Sequence, residues 1–138
     1  MLGKRAYLVH AEHAYFSYIK AILTMLLHLL KSKIHRATVT CADLNYQGSI
    51  SIDPELCRLA DITPWERVDI YDVTNGERFS TYAILGKPHE ITLNGAAARR
   101  VQIGDKIIIA TYAMFTPDEA MNHQPTILLV DDQNRPAG

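Results

Sequence analysis

The chain has 138 residues, of which 48% are hydrophobic and 21% charged, and its formal net charge is -1. These values fit one globular domain with a buried core and exclude a disordered or fibrous chain. The near-neutral balance also excludes a global basic field of the kind that attracts nucleic acid or anionic lipid.

Residues 13 to 31 lack Gly and Pro and are rich in Leu, which predicts a helix on propensity. The longest apolar stretch, Ala21 to Leu30, is broken by Thr24 and His28 and falls short of the ~18 residues of a membrane span. No apolar stretch followed by a small-residue cleavage site marks a secretory leader, so the cytoplasm is the expected compartment. His10 and His13 lack further ligands at zinc-site spacing, and no metal is expected. Cys41 and Cys57 form no disulfide framework and read as reduced and buried.

From Ile34 the segment IHRATVTC is β-branched and predicts a strand. Asp53-Pro54-Glu55 reads as an N-cap with Pro at the first helical position, opening a short helix through LCRLA. Arg67 to Val73 alternates as a strand, Asn75-Gly76 signals a type I′ hairpin, and Arg78 to Leu85 is the expected return strand. Further strands are expected at Glu90 to Leu93, Lys106 to Met114 and Thr126 to Val130, with turns at Asn94-Gly95 and Gly104-Asp105. Many short strands with one or two short helices indicate a mainly β fold, a small β-barrel. The polar tail from Asp131, residues 131–138, is expected to be frayed and flexible.

Five segments in order, KSKIHRATVT, DLNYQGSISID, VTNGERFSTYAI, NGAAARR and GDKIIIATYA, resemble the successive signatures of the aspartate 1-decarboxylases. The resemblance covers about Met25 to Met121. It implies a double-ψ β-barrel, a homotetramer and a bacterial cytoplasmic lyase that converts L-aspartate to β-alanine for pantothenate biosynthesis.

The resemblance also implies that the proenzyme cuts itself between Gly48 and Ser49 into β and α chains, Ser49 becoming a covalent pyruvoyl cofactor. Attack on a resonance-stabilised amide needs distortion or strong oxyanion stabilisation, and Gly48, lacking a Cβ, permits a strained geometry. Ser49 Oγ would attack the Gly48 carbonyl to give an ester, and elimination and hydrolysis would leave the pyruvoyl group. Its ketone would form a Schiff base with the substrate amine and accept the electrons released with CO2, so no PLP is needed. Cleavage is either spontaneous or assisted by a maturation factor.

By the same resemblance Tyr82 donates the proton, while Tyr46, Thr81 and Asn94 serve self-processing. Lys33, His35, Arg78, Thr81, Gly95, Ala96 and Ala97 would bind substrate. Aspartate carries two carboxylates, so two cationic or N–H-rich anchors are required. Period-two alternation puts Lys33 with His35 on one strand face and Arg78 with Tyr82 on another, suiting convergence on one pocket. Alternation sets Thr81 on the face opposite Tyr82, which a subunit interface or local twist would reconcile with its family role.

Each residue has a plainer reading. Gly-Ser is a common turn dipeptide, Tyr82 suits a half-buried strand, and Lys33 and Arg78 suit a solvated surface. Gly48-Ser49-Ile50-Ser51 lacks the second glycine of a nucleophile elbow.

Two departures stand out. Ile50 follows the serine, and Tyr71 stands where a tryptophan is common in the family. Met25-Leu26-Leu27 corresponds to the family's usual start, leaving residues 1–24 as an atypical extension and 25–130 as the barrel domain. The extension is either a start-site artefact or a segment whose Tyr15, Phe16, Tyr18 and Ile19 pack on a subunit or partner helix. Competing readings are a non-catalytic β-barrel binding module and a swapped-hairpin DNA-binding barrel, the latter disfavoured by charge.

Overall fold

A computed structural model describes residues 3–23 and 25–138. Helix α1 spans Gly3–Leu23, and its side chains from Leu8 to Tyr18 are exposed. Among the described residues no helix is long and apolar enough to cross a membrane. Strands β1 (Leu27–Thr38), β2 (Cys41–Asp43) and β3 (Ile50–Ile52) follow, then helix α2 (Pro54–Leu59). The hairpin β4 (Arg67–Asp72) and β5 (Arg78–Leu85) leads to β6 (Ile91–Asn94), a 3-10 helix (Gly95–Arg100) and β7 (Lys106–Phe115). Helix α3 (Pro117–Met121) and β8 (Thr126–Leu129) complete the chain.

The eight strands run in the order β2-β6-β3-β5-β4-β7-β1-β8. The end of β1 closes the sheet on itself, because Thr40 N–H reaches the Ile91 carbonyl of β6 at 2.8 Å. The result is a small, mainly β barrel, as the density of short strands predicts. Its interior is β-branched and aliphatic: Ile34, Ile50, Ile52, Val68, Ile70, Ile91, Leu93, Ile107 and Ile109 are fully buried. In β4 they alternate with outward polar residues, the period-two pattern that fixes register, whereas β3 and β6 are buried along their whole length.

The structure corrects several expectations. The helix expected over residues 13–31 ends at Leu23, and Leu27 to Lys31 are strand. Leu is a good helix former, but pairing of Leu27 with Phe115 and Leu29 with Ala113 on β7 overrides local propensity. Cys41 is exposed on the short edge strand β2, whereas Cys57 is buried as expected.

The β4–β5 hairpin is present, but its turn is not type I′, since Gly76 has positive φ and Asn75 does not. Asp72 organises a wider loop instead, its carboxylate accepting from Thr74 and Asn75 N–H at 2.8 and 3.2 Å. The turn expected at Asn94-Gly95 leads from β6 into the 3-10 helix.

The tail is not frayed. Asn134 is 1% exposed and its amide joins β1 to the loop before β6. Thr38 N–H donates to it at 2.7 Å, and it donates to the Thr38 and His89 carbonyls at 2.9 and 3.1 Å.

Candidate active site

The site is built around β3, which lies between β5 and β6. Ile50 pairs with Ala83 in parallel and with Leu93 antiparallel. The same registers extended by one residue set Ser49 beside Tyr82 on one side and Asn94 on the other. The Asn94 N–H indeed donates to the Ser49 carbonyl at 2.8 Å.

Ser49 is half-buried at the end of the loop from β2, where the Asp43 carboxylate turns the chain by accepting from Asn45 N–H at 2.9 Å. Gly48 adopts φ +144, a conformation that side-chain-bearing residues rarely hold. A Cβ there would also stand 2.8 Å from Ile84 Cδ1 and 3.5 Å from the Tyr46 ring. The backbone before Ser49 is thus shaped in a way that glycine alone sustains.

On the far side, Gly95 has φ +58, and its open Cβ position lies 3.7 Å from the Gly48 carbonyl oxygen. Asn94 is 2% exposed and precedes the 3-10 helix without capping it. Its amide donates instead to Ser51 Oγ at 3.2 Å. Gly48, Ser49, Thr81, Tyr82, Asn94 and Ala96 share a cleft of about 310 Å³, which Ala97 and Arg100 also line. The N–H groups of a helix's first turn have no partners within the helix, and the small side chains of Ala96 and Ala97 leave room for a carboxylate beside them. Both faces of β5 therefore contribute, Thr81 from one and Tyr82 from the other.

A second cleft of about 450 Å³ opens on the other side of Gly48, between Tyr46, Trp65, Tyr82 and Ile84. Trp65, 73% exposed, tilts over Tyr82 with ring centroids 5.9 Å apart. The Trp65 backbone N–H donates to the Ala83 carbonyl at 2.7 Å, tying this loop to β5.

Lys33, His35 and Arg78 line neither cleft. Lys33 lies on β1, paired with Ala110 and Ile127. On the sheet β4 and β7 lie between its strand and β5. Arg78 opens β5 and its guanidinium carbon lies 3.9 Å from the Tyr71 ring centroid. Among the described residues neither cation has a carboxylate partner. Burial, followed by the nearby Lys33 and Arg36 charges, lowers the His35 pKa, and its buried Nδ1 has no hydrogen-bond partner. As expected from alternation, Lys33 and His35 share the face of β1 opposite buried Ser32 and Ile34.

Ser51, Trp65, Arg100 and the Tyr71 ring under Arg78 were not singled out as site residues by sequence. Ser51 carries a signal in hindsight, lying two residues from Ser49 and therefore on the same face of β3.

The aspartate decarboxylase family model matches residues 25–137. The chain belongs to the aspartate decarboxylase family. It is 57% identical over 110 residues to the aspartate 1-decarboxylase of Campylobacter hominis, covering 80% of this chain and 96% of that protein. It is 57% identical over 111 residues to that of Helicobacter pylori, covering 80% and 95%. Against the aspartate 1-decarboxylase of Bdellovibrio bacteriovorus the identity is 56% over 111 residues, covering 80% and 90%. The chain is accordingly a decarboxylase, a carbon–carbon lyase.

Proposed function

We propose that the chain cuts itself between Gly48 and Ser49 and then decarboxylates L-aspartate to β-alanine, the supply step for pantothenate in the bacterial cytoplasm. The observation that carries this reading is the flanking of Ser49 by Tyr82 and Asn94, with Gly48 held at φ +144.

In the first reaction Ser49 Oγ attacks the Gly48 carbonyl carbon and the amide nitrogen leaves it, giving an ester. Thr81 lines the same cleft and Gly95 stands close to the Gly48 carbonyl oxygen, and on this reading Thr81 has the role of donating to the charge that develops there. Loss of the Gly48 carboxylate from the Ser49 side chain leaves dehydroalanine, and addition of water with release of ammonia leaves a pyruvoyl group. The position suits that group, being half-buried, fixed at its carbonyl by Asn94 N–H and bordered by alanines.

Once formed, the pyruvoyl ketone supplies the electron sink that decarboxylation needs. Tyr82 then delivers a proton from its hydroxyl to the substrate carbon that has lost CO2. The N–H groups of Gly95 and Ala96, which open the 3-10 helix, hold one carboxylate with Ala97 beside them, and Arg78 and Lys33 are the cations for the other. Lys33, His35 and Arg78 do not line the Ser49 cleft within one chain, so on this reading they come there from a second copy, as in a homotetramer.

Denaturing mass spectrometry of purified protein tests the first step, with expected fragments ending at Gly48 and beginning with a pyruvoyl at position 49. Incubation with L-aspartate and detection of β-alanine tests the second. A chain that stays intact after prolonged warming and makes no β-alanine would favour a non-catalytic barrel.

A further inference from the structure

We propose that Tyr71, clamped through its hydroxyl by Tyr112 and Asp69, positions the Arg78 guanidinium for a substrate carboxylate. The inference rests on the reading of Arg78 as a carboxylate anchor.

Tyr71 and Arg78 are direct cross-strand partners in the β4–β5 hairpin. The guanidinium lies over the Tyr71 ring, 3.9 Å from its centroid. Arginine carries substantial rotamer entropy, and an exposed one at the start of a strand samples many directions. Stacking removes much of that freedom while leaving the in-plane N–H donors pointing outward from the ring edge. Those are the donors that grip a carboxylate in bidentate fashion. With no carboxylate of the described residues on Arg78, its fork remains available.

The ring can hold a cation in place only if it is itself held. Tyr71 donates its hydroxyl proton to Asp69 Oδ2 at 3.3 Å and accepts from Tyr112, whose oxygen is 2.8 Å away. Both phenols are thereby satisfied in one direction, along Tyr112 to Tyr71 to Asp69. Tyr112 is fixed in turn by the tilted His28 ring, 5.5 Å away. Burial and the Tyr112 bond raise the Tyr71 pKa, so the phenol stays neutral and keeps donating. A tryptophan at position 71 would lack this hydroxyl network, since an indole cannot accept the Tyr112 proton.

The test uses processed wild-type protein and its Tyr71→Leu, Tyr71→Trp, Tyr112→Phe and Arg78→Gln variants. Succinate, a dicarboxylate without an amine, is titrated by calorimetry, and L-aspartate turnover is followed in parallel. Loss of the stack in Tyr71→Leu is expected to weaken succinate binding and raise KM roughly three- to fivefold, with kcat nearly unchanged. Tyr112→Phe should move both in the same direction by less, and Tyr71→Trp should restore most of the loss by keeping a ring under the guanidinium. In an Arg78→Gln background, Tyr71→Leu should cost kcat/KM nothing further, whereas a merely structural tyrosine would give additive losses. Additivity, or an unchanged succinate Kd in Tyr71→Leu, overturns the positioning role alone. Wild-type protein that neither binds succinate nor turns over aspartate overturns the Arg78 reading with it.

Discussion

The backbone N–H of Asn94 donates to the carbonyl of Ser49 at 2.8 Å, so the last residue of β6 grips the chain one residue past the proposed scissile bond. The Asn94 side chain does a separate job, donating to Ser51 Oγ in a buried contact at 3.2 Å. Asn94→Ala keeps the first bond and strands the Ser51 hydroxyl. The expected loss is about 1–2 kcal/mol in urea unfolding, together with slower cleavage by mass spectrometry. Wild-type stability and cleavage would show that the side chain does nothing here.

Gly48→Ala meets two obstacles, the φ of +144 and the 2.8 Å approach to Ile84 Cδ1. Backbone strain of this kind costs about 1–3 kcal/mol, so the loop should relax to another conformation and cleavage should slow by an order of magnitude or more. Adding Ile84→Ala removes the side-chain contact but not the backbone strain, and should not restore the rate. Restoration by Ile84→Ala would assign the glycine requirement to space rather than to φ.

Tyr82→Phe retains the ring that meets Trp65 but lacks the proton. Processing should go to completion, while β-alanine formation falls by roughly 10²- to 10⁴-fold, the usual worth of a general acid. Equal loss of both activities would point to a role in folding the cleft.

Asp72 and Asp105 sit side by side at the end of the barrel. Burial first, then the Asp105 carboxyl, raises the Asp72 pKa from 3.8 to about 6. A carboxyl raised on folding favours the native state when protonated, so its contribution is fully present below pH 3.8 and is lost as pH rises to about 6. Asp72→Asn keeps an oxygen for Thr74 and Asn75 N–H and offers Asp105 an N–H donor. Thermal melts should therefore show the variant gaining on the wild type as pH rises from 4 to 7. A gap that does not change with pH would remove Asp72 from the account.

Asn134→Ala deletes three hydrogen bonds that tie the tail to Thr38 and His89. It also puts alanine at φ +58, where Asn is favoured. A loss of about 2–4 kcal/mol is expected in chemical denaturation. A loss below about 0.5 kcal/mol, the range of ordinary surface substitutions, would return the tail to the status of a loose end.

Much of the barrel was legible because its strands alternate. Val68 and Ile70 point inward and Arg67 and Asp69 outward, and Arg78 to Leu85 is a strand from end to end. What stayed hidden was set by partners distant in sequence. Leu27 to Leu30 looks helical until β7 is beside it, and the three residues of β3 are too few to show a period. The tail reads as polar and loose because nothing in Asp131 to Pro136 discloses that Asn134 will find Thr38, 96 residues away.

The candidate site divides in the same manner. The segments carrying Gly48, Ser49, Thr81, Tyr82, Asn94 and Ala96 were visible in order, and the structure gathers them around one cleft. Their convergence depends on β3 pairing with β5 and β6, which no local spacing encodes. Lys33 and His35 follow their predicted alternation but face a different part of the surface.

The pairing of β1 with β7 and β8 has a further consequence for a chain cut after Gly48. The upstream piece holds α1, β1 and β2, and the downstream piece supplies both neighbours of β1 and the β6 neighbour of β2. Each piece completes the other's sheet, so the nicked protein stays whole without a covalent link, as a pair of complementing fragments. Folding of the intact chain is a first-order event, whereas reassembly after denaturation requires two molecules to meet and becomes dependent on concentration. A cut after Gly48 would thus turn a fold that one chain makes alone into one that, at low concentration, is made once.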